Sequence, residues 1–149
     1  MSTDKSYLKL TTVLFRTMQN VEAVIKKDIK SHHLNTSEFG TLELLYNRGK
    51  QPMQSMASRL LMANSSMTYV IDQLEQKGLI YRQQDDVDKR MMMVDLTDQG
   101  RLFFDQIFPR HVETLSKMYE KLSKEELDIL IESLKKVGYQ AKSLQEKKQ

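Results

Sequence analysis

The chain has 149 residues, 40% of them hydrophobic and 29% charged, with 23 lysines and arginines against 20 aspartates and glutamates for a net charge of +3. That is one domain of ordinary size with a real core; disorder is excluded, and the lack of any cysteine excludes disulfides, thiolate metal sites, cysteine nucleophiles and thiol-based redox sensing. No apolar run approaches the ~18 residues that span a bilayer, and Met1 to Lys9 lacks the basic-then-apolar order of a signal peptide, so a cytoplasmic protein with no membrane partner is expected.

Apolar residues at Leu10, Leu14, Thr17/Met18, Val21, Val24/Ile25 and Ile29 keep helical spacing up to the polar stretch Ser31 to His33. Asn35 with Glu38 three residues later opens a second helix as a capping box. Its buried face is Phe39, Leu42 and Leu45/Tyr46, and Gly49 closes it. After Pro52 a short helix is expected over about Met53 to Leu61, with Met56, Ala57 and Leu60 inward, then a tight connection through Met62 and Ala63. Asn64 or Ser65 caps the next helix, which ends at Lys77-Gly78 and buries Met67, Val70, Ile71 and Leu74. The period then changes. Leu79 to Gln84 and Arg90 to Leu96 suit strands, and the acid-rich tip between them predicts a hairpin. Thr97 caps a long helix with Leu102, Phe103, Ile107, Val112, Leu115, Met118/Tyr119 and Leu122 inward, which Pro109 should bend or interrupt. Ser123 with Glu126 forms a second capping box for a terminal helix carrying Leu127, Leu130/Ile131, Leu134, Val137, Ala141 and Leu144.

Short helix, turn, helix and hairpin in succession describe a winged helix-turn-helix, so the fold class is mainly α with a small β-hairpin. Residues 36–97 form the expected DNA-binding domain. Residues 1–35 and 98–149 carry more apolar surface than a head of that size covers, which predicts a helical dimerisation region shared by two chains.

A recognition helix must bury one side and present short uncharged or basic groups on the other from its N-terminus onward. Asn64, Ser65, Ser66, Thr68, Tyr69 and Gln73 meet that description, with hydroxyls and amides able to bond phosphates or base edges. Taken singly, each is equally a solvated polar residue. The head as a whole is slightly acidic, so total charge does not carry the case. Its distribution does more: Leu44 to Ile71 contains no acid but includes Arg48, Lys50 and Arg59. In the wing, Lys89 and Arg90 are the DNA-facing cations, with Arg90 suited to an adjacent minor groove and Asp88 bracing its guanidinium.

The run Leu74-Glu75-Gln76-Lys77-Gly78-Leu79-Ile80, then Arg82, then Asp88-Lys89-Arg90, then Leu96-Thr97-Asp98-Gln99-Gly100, resembles the signature of the MarR family of regulators. The resemblance extends over nearly the whole chain, including the Thr36-Ser37-Glu38-Phe39 helix start. It implies a homodimer on palindromic operators, with the recognition helix at Ser65 to Lys77 and the wing arginine at Arg90. Glu38-Phe39, Leu42 to Tyr46, Gln51-Pro52 with Gln54, Ser66 to Val70, and Ile107 to His111 further resemble a branch that responds to quinones and hydroquinones. Without cysteine, such a response would rest on noncovalent binding or on modification of another residue type.

The family implies an effector pocket between head and dimer helices. Arg16, Phe39 and Glu43 are the candidates for a small aromatic or quinone-like ligand, and ordinary core and surface roles stay open for each. His32, His33 and His111 are potential zinc ligands, but adjacent histidines share one metal poorly, and a structural role is the expectation. The ten methionines, including Met91-Met92-Met93, are read as core and strand packing. No phosphate loop, zinc-protease helix or serine elbow is present, so neither enzyme nor cofactor is expected. The reading is a DNA-binding repressor. The alternative is a winged-helix protein–protein interaction module without a DNA target.

Overall fold

In the computed structural model, which describes residues 4–60 and 66–147, helix α1 (Lys5–Ser31) starts where the Asp4 carboxylate accepts the Ser6 amide at 2.8 Å. After His33, in the left-handed region at φ 63°, the chain enters α2 (Thr36–Arg48). Its start is the reciprocal box expected: the Glu38 amide donates to Asn35 at 2.8 Å and the Asn35 amide donates to Glu38 at 3.1 Å. Gly49, at φ 75°, ends the helix.

The expected hairpin is part of a three-stranded antiparallel sheet, order β1-β3-β2. Its strands are β1 (Gln51–Pro52), β2 (Ile80–Gln84) and β3 (Met92–Leu96), with Gln51 opposite Val94 and Arg82 opposite Val94 on the other side. A two-residue strand holding a proline has no periodicity to read, and proline fits there because β1 is an edge. A 3-10 turn (Met53–Ser55) and α3 (Met56–Arg59) follow. Ala57, expected inward, is exposed. The tighter 3-10 winding brings Met53 and Met56 onto one side, so Met56 enters the core and Ala57 turns out. Helix α3 ends at Arg59, with Leu60 already extended, short of the expected Leu61, and the next helix starts at Met67 with Ser66, not Asn64 or Ser65, in the cap position; residues 61–65, with the expected connection through Met62 and Ala63, lie outside the described residues.

Helix α4 (Met67–Gln76) buries Val70, Ile71 and Leu74 and packs on α2 and β2. Each of these side chains contributes on the order of 1.5–3 kcal/mol through burial. The common core adds Phe39, Leu42, Leu45, Met56, Ile80 and Val94.

Helix α5 (Asp98–Met118) runs through Pro109 without interruption, although the ring removes the N–H that would have bonded the Asp105 carbonyl. Its buried line is Gly100, Phe104, Ile107 and His111, not the expected Leu102 and Phe103: Leu102 is 65% exposed and Phe103 half-buried. Two apolar stripes share this helix, and backbone approach selects between them. A Cβ at Gly100 would lie 1.9 Å from the Leu79 carbonyl oxygen, so only glycine lets α5 dock there. The residues in register with Gly100 then face the core.

The chain divides into two units, Met1–Thr114 and Leu115–Gln149. The second holds α6 (Lys124–Glu146), opened by the Ser123–Glu126 capping box, and leaves Ile129, Leu130, Ile131, Leu134, Val137 and Leu144 exposed. Among the described residues no helix is long and apolar enough to cross a membrane.

Gly100→Ala should cost about 3 kcal/mol or more, because the obstacle is backbone rather than a flexible side chain. Urea unfolding checks this; a midpoint equal to wild type would show that α5 docks without the close approach.

Candidate nucleic-acid interface and the buried polar cluster

The face of α4 away from α2 carries Thr68 and Tyr69, both exposed, and Gln73, half-buried; exposed Ser66 precedes the helix. Asn64 and Ser65 lie outside the described residues. Arg59, at the end of α3, donates to Gln51 Oε1, whose amide nitrogen reaches the Arg48 and Gly49 carbonyls at 3.4 and 3.3 Å. Gln51, which sequence reasoning missed, thereby links the arginine to the sheet edge.

The wing tip is built from short side-chain to backbone bonds. Asp85 accepts the Asp88 amide at 2.9 Å, and Gln84 donates to the Lys89 carbonyl at 2.6 Å. Asp88 takes Arg90 at two points, Nε at 3.0 Å and an Nη at 3.1 Å, and accepts the Arg90 amide at 3.1 Å. Those bonds hold the Asp88 carboxyl below the usual carboxylate range and push the Arg90 guanidinium up. The guanidinium is aimed, yet its side chain is 91% exposed and open to a partner. A shallow concavity lined by Pro52, Gln54, Ser55, Arg59, Asp88, Arg90 and Met91 brings together two of the expected DNA-facing arginines. Lys89 is exposed beside it.

Two clasps on α4 are not apparent from sequence. Lys77 donates to Glu38 at 2.7 Å, so one carboxylate both caps α2 and holds the end of α4. Arg82 on β2 donates to Asp72 and, at 3.0 and 3.3 Å, to Glu75. Only the pairing of β2 with β3 and its docking beside α4 put these residues together.

Of the effector candidates, the structure brings Phe39 and Glu43 together on α2 against His111 of α5. The Phe39 and His111 rings are 4.6 Å apart, and His111 acts electrostatically on Glu43. Arg16 is exposed on α1, twelve residues before Asp28 and so about 18 Å along the helix from the α1 residue that touches His111. Sequence reasoning missed Asp28. Its buried carboxylate bonds His111 Nδ1 at 2.8 Å and accepts Thr114 at 3.0 Å, with His32 Nε2 3.6 Å away and without a hydrogen-bond partner. His33 is exposed. Among the described residues no group of His, Asp or Glu is arranged to hold a metal.

A helix-turn-helix with an exposed second-helix face and an arginine-bearing wing defines a winged-helix DNA-binding protein. Comparison with known proteins agrees. Residues 34–92 match the MarR family. The chain is 41% identical over 145 residues, 97% of it and 99% of the relative, to the HTH-type transcriptional regulator MhqR of Bacillus subtilis strain 168. Among solved structures, AbsC, a MarR family transcriptional regulator from Streptomyces coelicolor, superposes with a TM-score of 0.79 at 20% identity, over 96% of this chain and 98% of that one. NadR, solved in complex with 4-hydroxyphenylacetate, gives 0.72 at 20% identity over 92% and 97%. The chain belongs to the MarR family; it is a transcriptional regulator and not an enzyme.

Burial raises the Glu43 carboxyl above its usual range, and the nearby His111 only partly opposes this. The folded state therefore holds the Glu43 proton more tightly than the unfolded chain does. The resulting penalty is absent at pH below the unfolded carboxyl's range and complete above the raised folded value. Glu43→Gln should accordingly raise the melting temperature by about 1–2 °C at pH 7 and have no effect near pH 3. A gain that persists undiminished at acid pH would assign the change to packing instead.

Proposed function

We propose that the protein is a homodimeric repressor that binds a palindromic operator and leaves it when a small aromatic, quinone-like compound binds. The observation that carries the reading is the exposed α4 face, with Thr68 and Tyr69, next to the concavity where Arg59 and Arg90 converge. In each half-site Asn64, Ser65, Ser66, Thr68, Tyr69 and Gln73 work in the major groove; Arg59 meets the backbone, and Lys89 and Arg90 secure the wing. Residues 36–97 act as the head, and residues 1–35 and 98–149 as the arms through which two chains associate. Support for the arms is apolar surface far beyond isolated side chains: Tyr7, Leu8, Val13 and Phe15 on α1, and Ile129, Ile131 and Leu134 on α6, are all exposed.

The effector assignment draws on the 41% identity to MhqR and on the Phe39 and Glu43 wall beside His111. A phenolic ring suits that wall, and Arg16 would take part only if the bound state brings α1 closer. With no cysteine in the chain, thiol modification plays no part in release; the ligand binds noncovalently, in preference to modifying another residue type, and favours a spacing of the two heads that does not fit DNA.

Fluorescence anisotropy against the chain's own upstream region, at several salt concentrations, tests the reading. Binding should be salt-sensitive, much tighter than to scrambled DNA, and weakened by a hydroquinone. Arg90→Ala should lower operator affinity about tenfold and reduce the log–log salt slope by about one. Undiminished affinity would remove the wing from the interface. Equal binding to both DNAs, repeated with selected genomic fragments, would favour a protein-association module.

A further inference from the structure

Lys77 and Arg90 each answer one acid, Glu38 and Asp88, but Arg82 answers two acids at once and crosses between elements. Asp72 and Glu75 sit one helical turn apart on α4, and Arg82 on β2 donates to both. Their bonding pushes the Arg82 guanidinium up from its ordinary value, the Glu75 bond contributing most and the Asp72 bond next. The three side chains are only partly buried, at 28%, 43% and 39% exposed, so the clasp adds little to stability. Its place in the fold gives it another use.

Alternation along β2 puts Ile80, Arg82 and Gln84 on one side of the strand. Ile80 is buried in the core, Arg82 grips the recognition helix, and Gln84 holds the Lys89 carbonyl at the wing tip. Gln84 also pairs with Met92, and the Asp85 amide donates to the Met91 carbonyl at 2.9 Å. The tip around Asp88 and Arg90 is thus continuous with β2; core packing through Ile80 and the Leu79 amide on the Leu74 carbonyl seat β2 beside α4, and the Arg82 guanidinium adds directional side-chain bonds nearer the wing.

We propose that Arg82 is a positioning residue: by bridging Asp72 and Glu75 it sets the angle of the wing against the recognition helix, so that Arg90 and the α4 face engage DNA together. The role rests on the DNA-binding reading above. Arginine is required because its planar fork bonds two carboxylates in fixed directions, whereas lysine supplies a point charge without direction.

The decisive variant removes the acids and keeps the arginine. Asp72→Asn with Glu75→Gln takes two negative charges away from a DNA-facing helix, and on charge alone it should tighten binding. The positioning role requires the opposite: operator affinity five- to tenfold weaker, with the melting temperature within about 3 °C of wild type. Arg82→Lys, which preserves charge, should weaken binding to the same extent. In either background Arg90→Ala should cost less than twofold more, because the wing contact is already lost; two independent contacts would multiply. Tighter binding by the neutralised pair, full affinity in Arg82→Lys, or multiplicative losses with Arg90→Ala would each overturn the proposal.

A measurement without DNA separates this from failure of the regulatory reading. Because the chain has no native cysteine, spin labels at Gln76→Cys and Asp86→Cys report the distance from recognition helix to wing tip alone. That distance distribution should broaden or shift in Arg82→Lys and in the neutralised pair. An unchanged distribution would refute the clasp whatever the DNA results, whereas loss of operator preference in wild type alone would count against the regulator.

Discussion

A single carboxylate, nearly withdrawn from solvent, fixes how α1 meets α5. Asp28 lies on α1 with its side chain only 10% exposed, and a charge in that position is tolerated only with partners in good geometry. His111 and Thr114, one turn apart on α5, supply them, and His32 closes in from the end of α1. Removing one partner from such a group typically costs about 3–5 kcal/mol, so α5 has little freedom to rotate against α1. His111 also stacks on Phe39, which hands the same constraint to α2. The aromatic seam continues along α5, with Phe104 against Tyr46 at 4.9 Å and Phe108 against Tyr46 at 5.6 Å. Tyr46 then donates to Asp105, and Arg101 lies over its ring.

Electrostatics on the head work by direction more than by amount. Lys77 is held by Glu38, Arg82 by Asp72 and Glu75, and Arg90 by Asp88. Those cations therefore add little to a long-range field, in keeping with a net charge of only +3. What they supply instead is placement. A guanidinium fixed at two points on one side still offers donors on the other, at the cost of weaker attraction at a distance. On the proposed reading, steering toward phosphate falls to cations outside these clasps, such as Arg48 and Lys50 in the acid-free stretch. Specificity falls to groups held still enough for their hydrogen bonds to count.

The parts of this fold legible in the sequence are those set by local rules. The capping boxes at Asn35–Glu38 and Ser123–Glu126, the α4 stripe, and the strand pair around an acidic tip each depend on residues a few positions apart. What could not be read depends on contacts far apart in the chain. Leu102 and Phe104 have equal claim to the core by periodicity, and the choice rests with a backbone contact between Gly100 and Leu79. Ala57 was misplaced because a 3-10 turn shifts the phase of everything after it, and sequence gives no sign of that turn. At the candidate sites, the exposed positions of Thr68, Tyr69, Lys89 and Arg90 on α4 and the wing were legible from helix and hairpin spacing. Asp28, Gln51 and Arg82 were not, since each acquires its role from a partner on another element. Arg16 shows the converse: its chemistry suits a phenolate, but its position on α1 places it well away from Phe39 and Glu43.

Helix α2 is the element on which these separate contacts converge. Its first turn holds the end of the recognition helix through Glu38 and Lys77; its middle carries Phe39 and Glu43 against His111; its last turns bind α5 through Tyr46. A ligand wedged at Phe39 and Glu43 would therefore press on the same rigid rod that supports α4, with no chain of intermediates between. Burial raises the Glu43 carboxyl above its usual range, and His111 opposes this only in part. A group in that state gains from any hydrogen-bond donor that approaches it, and a phenolic hydroxyl is one. On the proposed effector reading, the contacts of α2 with α4 through Glu38 and with α5 through Phe39 and Tyr46 give a ligand at this wall a direct route to α4.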